Sequence, residues 1–189
     1  MGWTSATGLS APLRVGKSAT VQVHEYSFII DATPEEIWAA MHPKLESRGA
    51  DTENPRIIEH GEVRIEIMSE GDENGDGLVR HCYFPVPKYL LSGGRAQSWE
   101  MVSKVRVNEF SRYDAIGKPL WSRAMGWYRL DGLGDGRTNV TFHEEYEVFN
   151  PILRVLLEKR VHAFISRDND QKVKQGIEQA LAARRRASS

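Results

Sequence analysis

From Leu153 onward the apolar residues Leu153, Leu157, Val161, Ile165, Val173, Ile177 and Leu181 recur at steps of four, and only Asn169 interrupts the series. An α-helix advances 3.6 residues per turn, so such a stripe winds around its axis by about 40° at each step. Asn150-Pro151 caps this helix, which is expected to run to about Arg184, about 33 residues or roughly 50 Å. A flat partner cannot follow a winding stripe over that length, whereas a sheet that curls around the helix can. Asn169 then falls midway along the buried side. A lone amide there must find hydrogen-bond partners or cost about 1–3 kcal/mol. It bonds either a sheet side chain or buried water, or it meets the polar head of a bound molecule.

The rest of the chain supplies the sheet. Val21 to Ile30 is β-branched and aromatic, with Tyr26, Phe28 and Ile30 on one face. Ala32-Thr33-Pro34-Glu35-Glu36-Ile37-Trp38 is a helix start: Thr33 as N-cap, Pro34 where a missing N–H is harmless, Glu36 completing a capping box. Pro43 is expected to break that helix, leaving a second short piece that ends near Gly49. From residue 63 the period becomes two. Strands are expected over Val63–Ile67, Leu78–Phe84, Trp99–Val107, Phe110–Ile116, Trp121–Leu130 and Thr138–Phe149, with a Gly- and Asp-rich hairpin loop before the last. The order is strand, two short helices, six strands, long helix.

Composition narrows the function classes. The net charge is -1, so no basic excess is present to neutralise phosphates, and nucleic acid is not an expected partner. Cys82 is the single cysteine, which rules out an intrachain disulfide and fits a reducing compartment. Apolar runs are too short to span a bilayer, so no stable membrane insertion is expected. Met1 to Thr20 lacks the apolar core of a signal peptide and reads as a flexible arm, and a cytoplasmic location is expected. The expected organisation is that arm over 1–20, one domain over 21–184, and a basic flexible tail over 185–189.

This order of elements resembles the START-like, or helix-grip, superfamily, which includes the birch-pollen allergen, lipid-transfer START domains and the polyketide cyclase/dehydrase family. The resemblance covers about residues 21 to 183. It rests on the first strand running into Ala32-Thr33-Pro34-Glu35-Glu36-Ile37-Trp38, on Gly77-Leu78-Val79-Arg80, and on Gly136-Arg137-Thr138-Asn139-Val140-Thr141. It implies an α+β helix-grip fold. In that fold a curved antiparallel sheet of about seven strands wraps around the long C-terminal helix, and two short helices follow the first strand. Three functions are compatible with such a scaffold. One is binding or transport of a hydrophobic small molecule (lipid, polyketide or isoprenoid). The second is a polyketide aromatase/cyclase, and the third a protein-interaction domain. Binding is the leading reading, with no cofactor, and homodimer formation is left open.

A strongly bent sheet has a concave face too wide for one helix to fill, so a cavity is expected. Alternation predicts its lining. On the last strand Val140, Phe142, Glu144, Tyr146 and Val148 point in; on the preceding one Ala124, Gly126, Tyr128 and Leu130 do; Trp99 and Met101 form a third wall. The candidate ligand-binding residues are Arg80, Trp99, Met101, Tyr128, Phe142, Glu144, Tyr146 and Asn169. Enolisation and aldol closure would need an acid/base pair and an oxyanion donor, for which Arg80, Tyr128, Glu144 and Tyr146 are the candidates. Metal chemistry finds no support. His143-Glu144-Glu145 lacks the second histidine of a zinc-protease helix, and an EF-hand reading of Asp72, Asn74 and Asp76 meets Tyr83 where a bidentate Glu is needed. Cys82 has no local base and reads as a packing residue.

Overall fold

The alternating segments of the sequence form one antiparallel sheet. The computed structural model describes residues 21–42, 55–60, 62–88, 92–167 and 169–187. Its strands are β1 (Gln22–Ile30), β2 (Arg56–His60), β3 (Val63–Ser69), β4 (Val79–Pro85), β5 (Arg95–Arg106), β6 (Phe110–Lys118), β7 (Ser122–Gly132) and β8 (Thr138–Val148). Its helices are α1 (Pro34–Met41), α2 (Pro151–Leu153), α3 (Lys159–Ile165) and α4 (Asn169–Ala187), with a π-helical segment, Arg154–Glu158, between α2 and α3. Strand order is β1-β8-β7-β6-β5-β4-β3-β2. β2 to β8 therefore form an unbroken meander, and β1 closes onto β8. The N-terminal arm and the expected second short helix lie outside the described residues.

Eight strands are present where seven are expected. The additional one is β2, an outer strand whose Arg56-Ile57-Ile58-Glu59-His60 places two apolar residues side by side instead of alternating them. The C-terminal helix departs further from expectation. Its α3 ends at Ile165, with Ser166 N–H donating to the His162 carbonyl at 2.8 Å. The polar run after Ile165 offers no apolar group to bury, so nothing holds a helix against the sheet there. The winding stripe is nevertheless realised. Val161, Ile177 and Leu181 are buried, Leu153, Leu157 and Val173 half-buried, and Ile165 alone turns outward. α4 also continues through the arginine triplet to Ala187, and Arg185 Nη2 lies 3.4 Å from Glu36 Oε1.

Two apolar clusters divide the interior. Ile30, Ile37, Trp38, Leu130, Val140, Ile177 and Leu181 pack beneath α1 and α4. Leu120, Tyr146, Val148 and Val161 pack beneath α3. α1 begins as its sequence dictates: Thr33 Oγ1 accepts from Glu36 N–H at 3.4 Å, and Thr33 N–H donates to Glu36 Oε2 at 2.9 Å. Truncating an N-cap side chain costs about 0.5–2 kcal/mol. Thr33→Ala is expected to lower the free energy of unfolding in urea by that amount while leaving ligand affinity unchanged. A loss of affinity at unchanged stability would show that this cap serves the site instead.

The Gly71–Gly77 loop between β3 and β4 is a tight turn. Asp72 Oδ1 accepts the N–H groups of Asn74 and Asp76, both at 2.9 Å, and Asp76 Oδ2 accepts Val105 N–H at 3.0 Å. These carboxylates are directed at backbone. Among the described residues no group of three or more His, Cys, Asp or Glu is arranged to hold a metal ion.

Candidate functional site: a small cavity beneath the C-terminal helices

Strand register sorts the concave face into rows. His24, Glu144, Gly126 and Tyr113 form one, from β1 through β8 and β7 to β6. Gln22, Tyr146, Ala124, Ala115, Glu100 and Arg80 form the next, and Val148, Ser122, Gly117, Ser98 and Cys82 a third. The middle of these rows is built from Gly, Ala and Ser. Small residues there leave space between the sheet and α3. The result is a cavity of about 140 Å³, walled by Ala96, Ala115, Ala124, Tyr146 and Val161, with Phe164, Ile165 and Ser166 at its rim. That is about the volume of an engineered cavity that takes up benzene.

Polar groups enter from one side. Glu144 and Asn169 meet: Asn169 Nδ2 donates to Oε2 at 3.1 Å and to Oε1 at 3.3 Å. Asn169 therefore bonds a sheet side chain, at the first residue of α4 and not at mid-helix. Burial raises the pKa of Glu144, with the Asn169 bond opposing the rise. Tyr113, two strands away in the same row, is pushed up by burial and then by the Glu144 and Glu100 carboxylates. Among the described residues the buried Tyr26 hydroxyl has no hydrogen-bond partner, and its pKa is raised by burial and by Glu144. His162, also on the cavity wall, is lowered by burial and by His24. The phenols of Tyr113 and Tyr146, which burial keeps from ionising, present hydroxyl donors to whatever occupies the space.

The remaining predicted residues fall in three places. Tyr146 lines the cavity as expected. Tyr128 and Phe142 point inward but belong to the packed cluster under α1, where the Tyr128 hydroxyl lies 2.9 Å from His42 Nε2 and the two rings are 5.5 Å apart. Arg80 is closed onto Glu100, with Nε and Nη2 each 2.7 Å from Oε2, and is not among the cavity-lining residues. Trp99 and Met101 are a correction. Both are half exposed on the convex face, and Trp99 stacks on His81 at 4.3 Å. A bulge explains the error. Between Ser103 and Arg106 the register shifts, with Lys104 at a φ of 55°, so Val105 reaches the core while Trp99 and Met101 do not. Their strand's inward phase is Ala96, Ser98 and Glu100.

Sequence reasoning missed Tyr113, Ala115 and His162. The available signal was Ser111-Tyr113-Ala115-Gly117, an every-second-residue series of mostly small side chains on β6. Cys82 agrees with its packing assignment: burial and Glu100 push its thiol up to about 12, which leaves little thiolate.

The Glu144 pKa has a consequence for stability. A carboxyl whose folded pKa lies above its unfolded value contributes stability that is present below the ordinary carboxyl range and is lost as pH rises through the folded pKa. Glu144→Gln is therefore expected to be neutral near pH 4 and stabilising at pH 7. Unfolding midpoints at the two pH values check this; parallel pH profiles for the two proteins would show that the carboxyl is not desolvated.

No protein-family model matches the chain, and no curated protein matches it. Solved structures do. Ara h 8.0201 superposes with a TM-score of 0.55 at 16% identity, covering 87% of this chain and 99% of that one. A START superfamily protein from Mycobacterium smegmatis gives 0.51 at 12% identity, covering 88% and 99%. Norcoclaurine synthase from Thalictrum flavum gives 0.51 at 15% identity, covering 96% and 99%. At such identities the likeness is one of fold. Among the described residues no helix is long and apolar enough to cross a membrane.

Proposed function

We propose that this chain, which has the START-like helix-grip fold, binds a small hydrophobic molecule in the cavity beneath α3. The observation that carries the reading is the composition of the wall: small and apolar side chains enclose about 140 Å³, and the buried carboxyl of Glu144 is the feature that would orient an occupant. The volume suits a single ring or an isoprene-sized unit; a longer lipid or polyketide would have to leave through the rim at Phe164–Ser166. A donor-bearing interior favours a hydroxyl or carbonyl on the ligand over a carboxylate, because a second anion beside Glu144 would be repelled in a low-dielectric space.

Isothermal titration with neutral apolar probes, phenol and 3-methyl-3-buten-1-ol, tests the proposal. Ala124→Leu fills the cavity from the sheet side. It is expected to weaken phenol binding at least tenfold while the protein stays folded. Failure of the native protein to bind either probe, or equal affinity in the variant, would overturn the reading.

A second reading, a polyketide aromatase/cyclase, is favoured by one observation. The Glu144 carboxyl and the Tyr113 hydroxyl share the cavity, which gives an acid/base group and a donor in one space. Glu144→Gln should then abolish turnover of poly-β-keto substrates and retain their binding; stoichiometric binding without product returns Glu144 to an anchoring role.

A further inference from the structure

Exposed apolar side chains collect at one place in the fold. At the start of the C-terminal helical run Ile152, Val155 and Leu156 are 70, 85 and 60% exposed, and Trp121 in the β6–β7 turn is 57% exposed. Phe149, also exposed, lies beside that tryptophan, its N–H donating to the Trp121 carbonyl at 3.1 Å. Ile152, Val155, Leu156, Lys159 and Arg160 are the exposed positions of this run, while Leu153, Leu157 and Val161 turn to the sheet, a repeat of about four that passes through the π-helical turn. Trp121 has a φ of 46°, a conformation rare for a bulky side chain, and holds its indole in solvent with Lys118 Nζ 4.6 Å from the ring centre. Isolated exposed apolar residues need no explanation, but a contiguous patch does.

Within the helical run the exposed charge is cationic, while Glu147 on β8 is paired with Arg123 and Arg154. From Phe149 to Arg167 the chain contains one acid, Glu158, which is 3% exposed and is engaged by Arg154, Gln22 and the Val148 N–H. The exposed charges are Lys159, Arg160 and Arg167, with Lys118 beside Trp121. The whole chain carries a net charge of -1, so this is a local cationic surface on a nearly neutral protein. Apolar side chains, a tryptophan and cations on one face match the interfacial zone of a bilayer with anionic headgroups. A second copy matches poorly, since a two-fold interface would set Lys159 and Arg160 against themselves.

We infer that the Phe149–Arg160 face, together with Trp121, docks this protein reversibly on anionic lipid membranes. Docking does not depend on the cavity being occupied. It does bring the cavity towards the lipid surface, because Lys118, whose Nζ lies 4.6 Å from the Trp121 ring centre, also lines the cavity.

Flotation of the full chain with vesicles tests this, comparing phosphatidylcholine alone with a mixture containing phosphatidylglycerol. Binding to the anionic vesicles is expected, weakening about tenfold or more as salt is raised from 50 to 500 mM. Val155→Asp and Leu156→Asp should each weaken it about tenfold with an unchanged circular dichroism spectrum, as both side chains already face water. Lys159→Glu with Arg160→Glu should remove the preference for anionic lipid. Ala124→Leu should bind vesicles as the native protein does, which separates this inference from the cavity reading. Absence of vesicle binding would overturn the inference, as would binding indifferent to Val155→Asp. So would a dimer in sedimentation equilibrium that Val155→Asp dissolves while vesicles go unbound, which would assign the patch to a second copy.

Discussion

Replacing Glu158 with alanine is expected to lower the free energy of unfolding by about 3–5 kcal/mol, the range for removing one partner of a buried ion pair. Glu158 is 3% exposed. Its Oε2 accepts the Val148 N–H at 2.8 Å and lies 3.4 Å from Arg154 Nε, and its Oε1 accepts from Gln22 Nε2 at 3.3 Å. One carboxylate thus ties the end of β8, the beginning of β1 and the π-helical segment together. The alanine variant leaves a buried N–H without an acceptor and an arginine without part of its counter-charge. Glu158→Gln keeps an acceptor at nearly the same place and should lose markedly less. Denaturant unfolding of both variants checks the order; a loss under 1 kcal/mol for Glu158→Ala would mean water replaces the carboxylate.

Gly126→Ala should cost about 1–3 kcal/mol, a large effect for one methyl group on a strand. Alanine ordinarily does better than glycine in such a position. Here a Cβ would stand 2.4 Å from Tyr113 Cε1 and 2.5 Å from its Cζ and Oη, because the ring lies over the glycine of the neighbouring strand. A ring cannot yield by that distance without leaving its site, so the variant should also perturb probe binding in the cavity Tyr113 lines. A double-mutant cycle isolates the cause: in a Tyr113→Ala background, Gly126→Ala should be nearly neutral. If the substitution is neutral in the native background, Tyr113 does not occupy that position.

What could be read from the sequence depended on whether alternation ran uninterrupted. β8 holds its phase from Thr138 to Val148, and its inward residues, Glu144 among them, were legible one by one. The stripe on the C-terminal run was legible too: it turned Asn169 inward, as alternation turned Glu144, without pairing the two. β5 was not legible, because a single inserted residue at the bulge near Lys104 reverses the phase and leaves no mark in hydrophobicity. The cavity was legible on β7 and β8, through Ala124, Glu144 and Tyr146, but its β6 wall was not. That wall is built around Ala115 and Gly117, residue types that hydrophobic patterns weight least, and the position of Tyr113 depends on the absence of a side chain at Gly126. Glu158 was illegible because a π-helical turn, which heptad-like spacing does not anticipate, rotates it inward.

The pairing of β1 with β8 has a kinetic consequence. Each strand from β2 to β8 pairs with its sequence neighbour, so that part of the sheet can grow by accretion of hairpins, with short loops to close. β1 must instead find a partner far along the chain, Tyr26 aligning with Phe142. Closing a loop on the order of a hundred residues carries a chain-entropy penalty of about 4 kcal/mol beyond a constant. β1 is therefore the strand expected to dock late and to detach early in partial unfolding. It carries Gln22, which reaches Glu158, and His24, which stands beside Glu144 in the sheet. A chain emerging from synthesis can thus assemble the meander that walls the cavity before β1 has returned to β8, and Glu158 lacks its Gln22 partner until then.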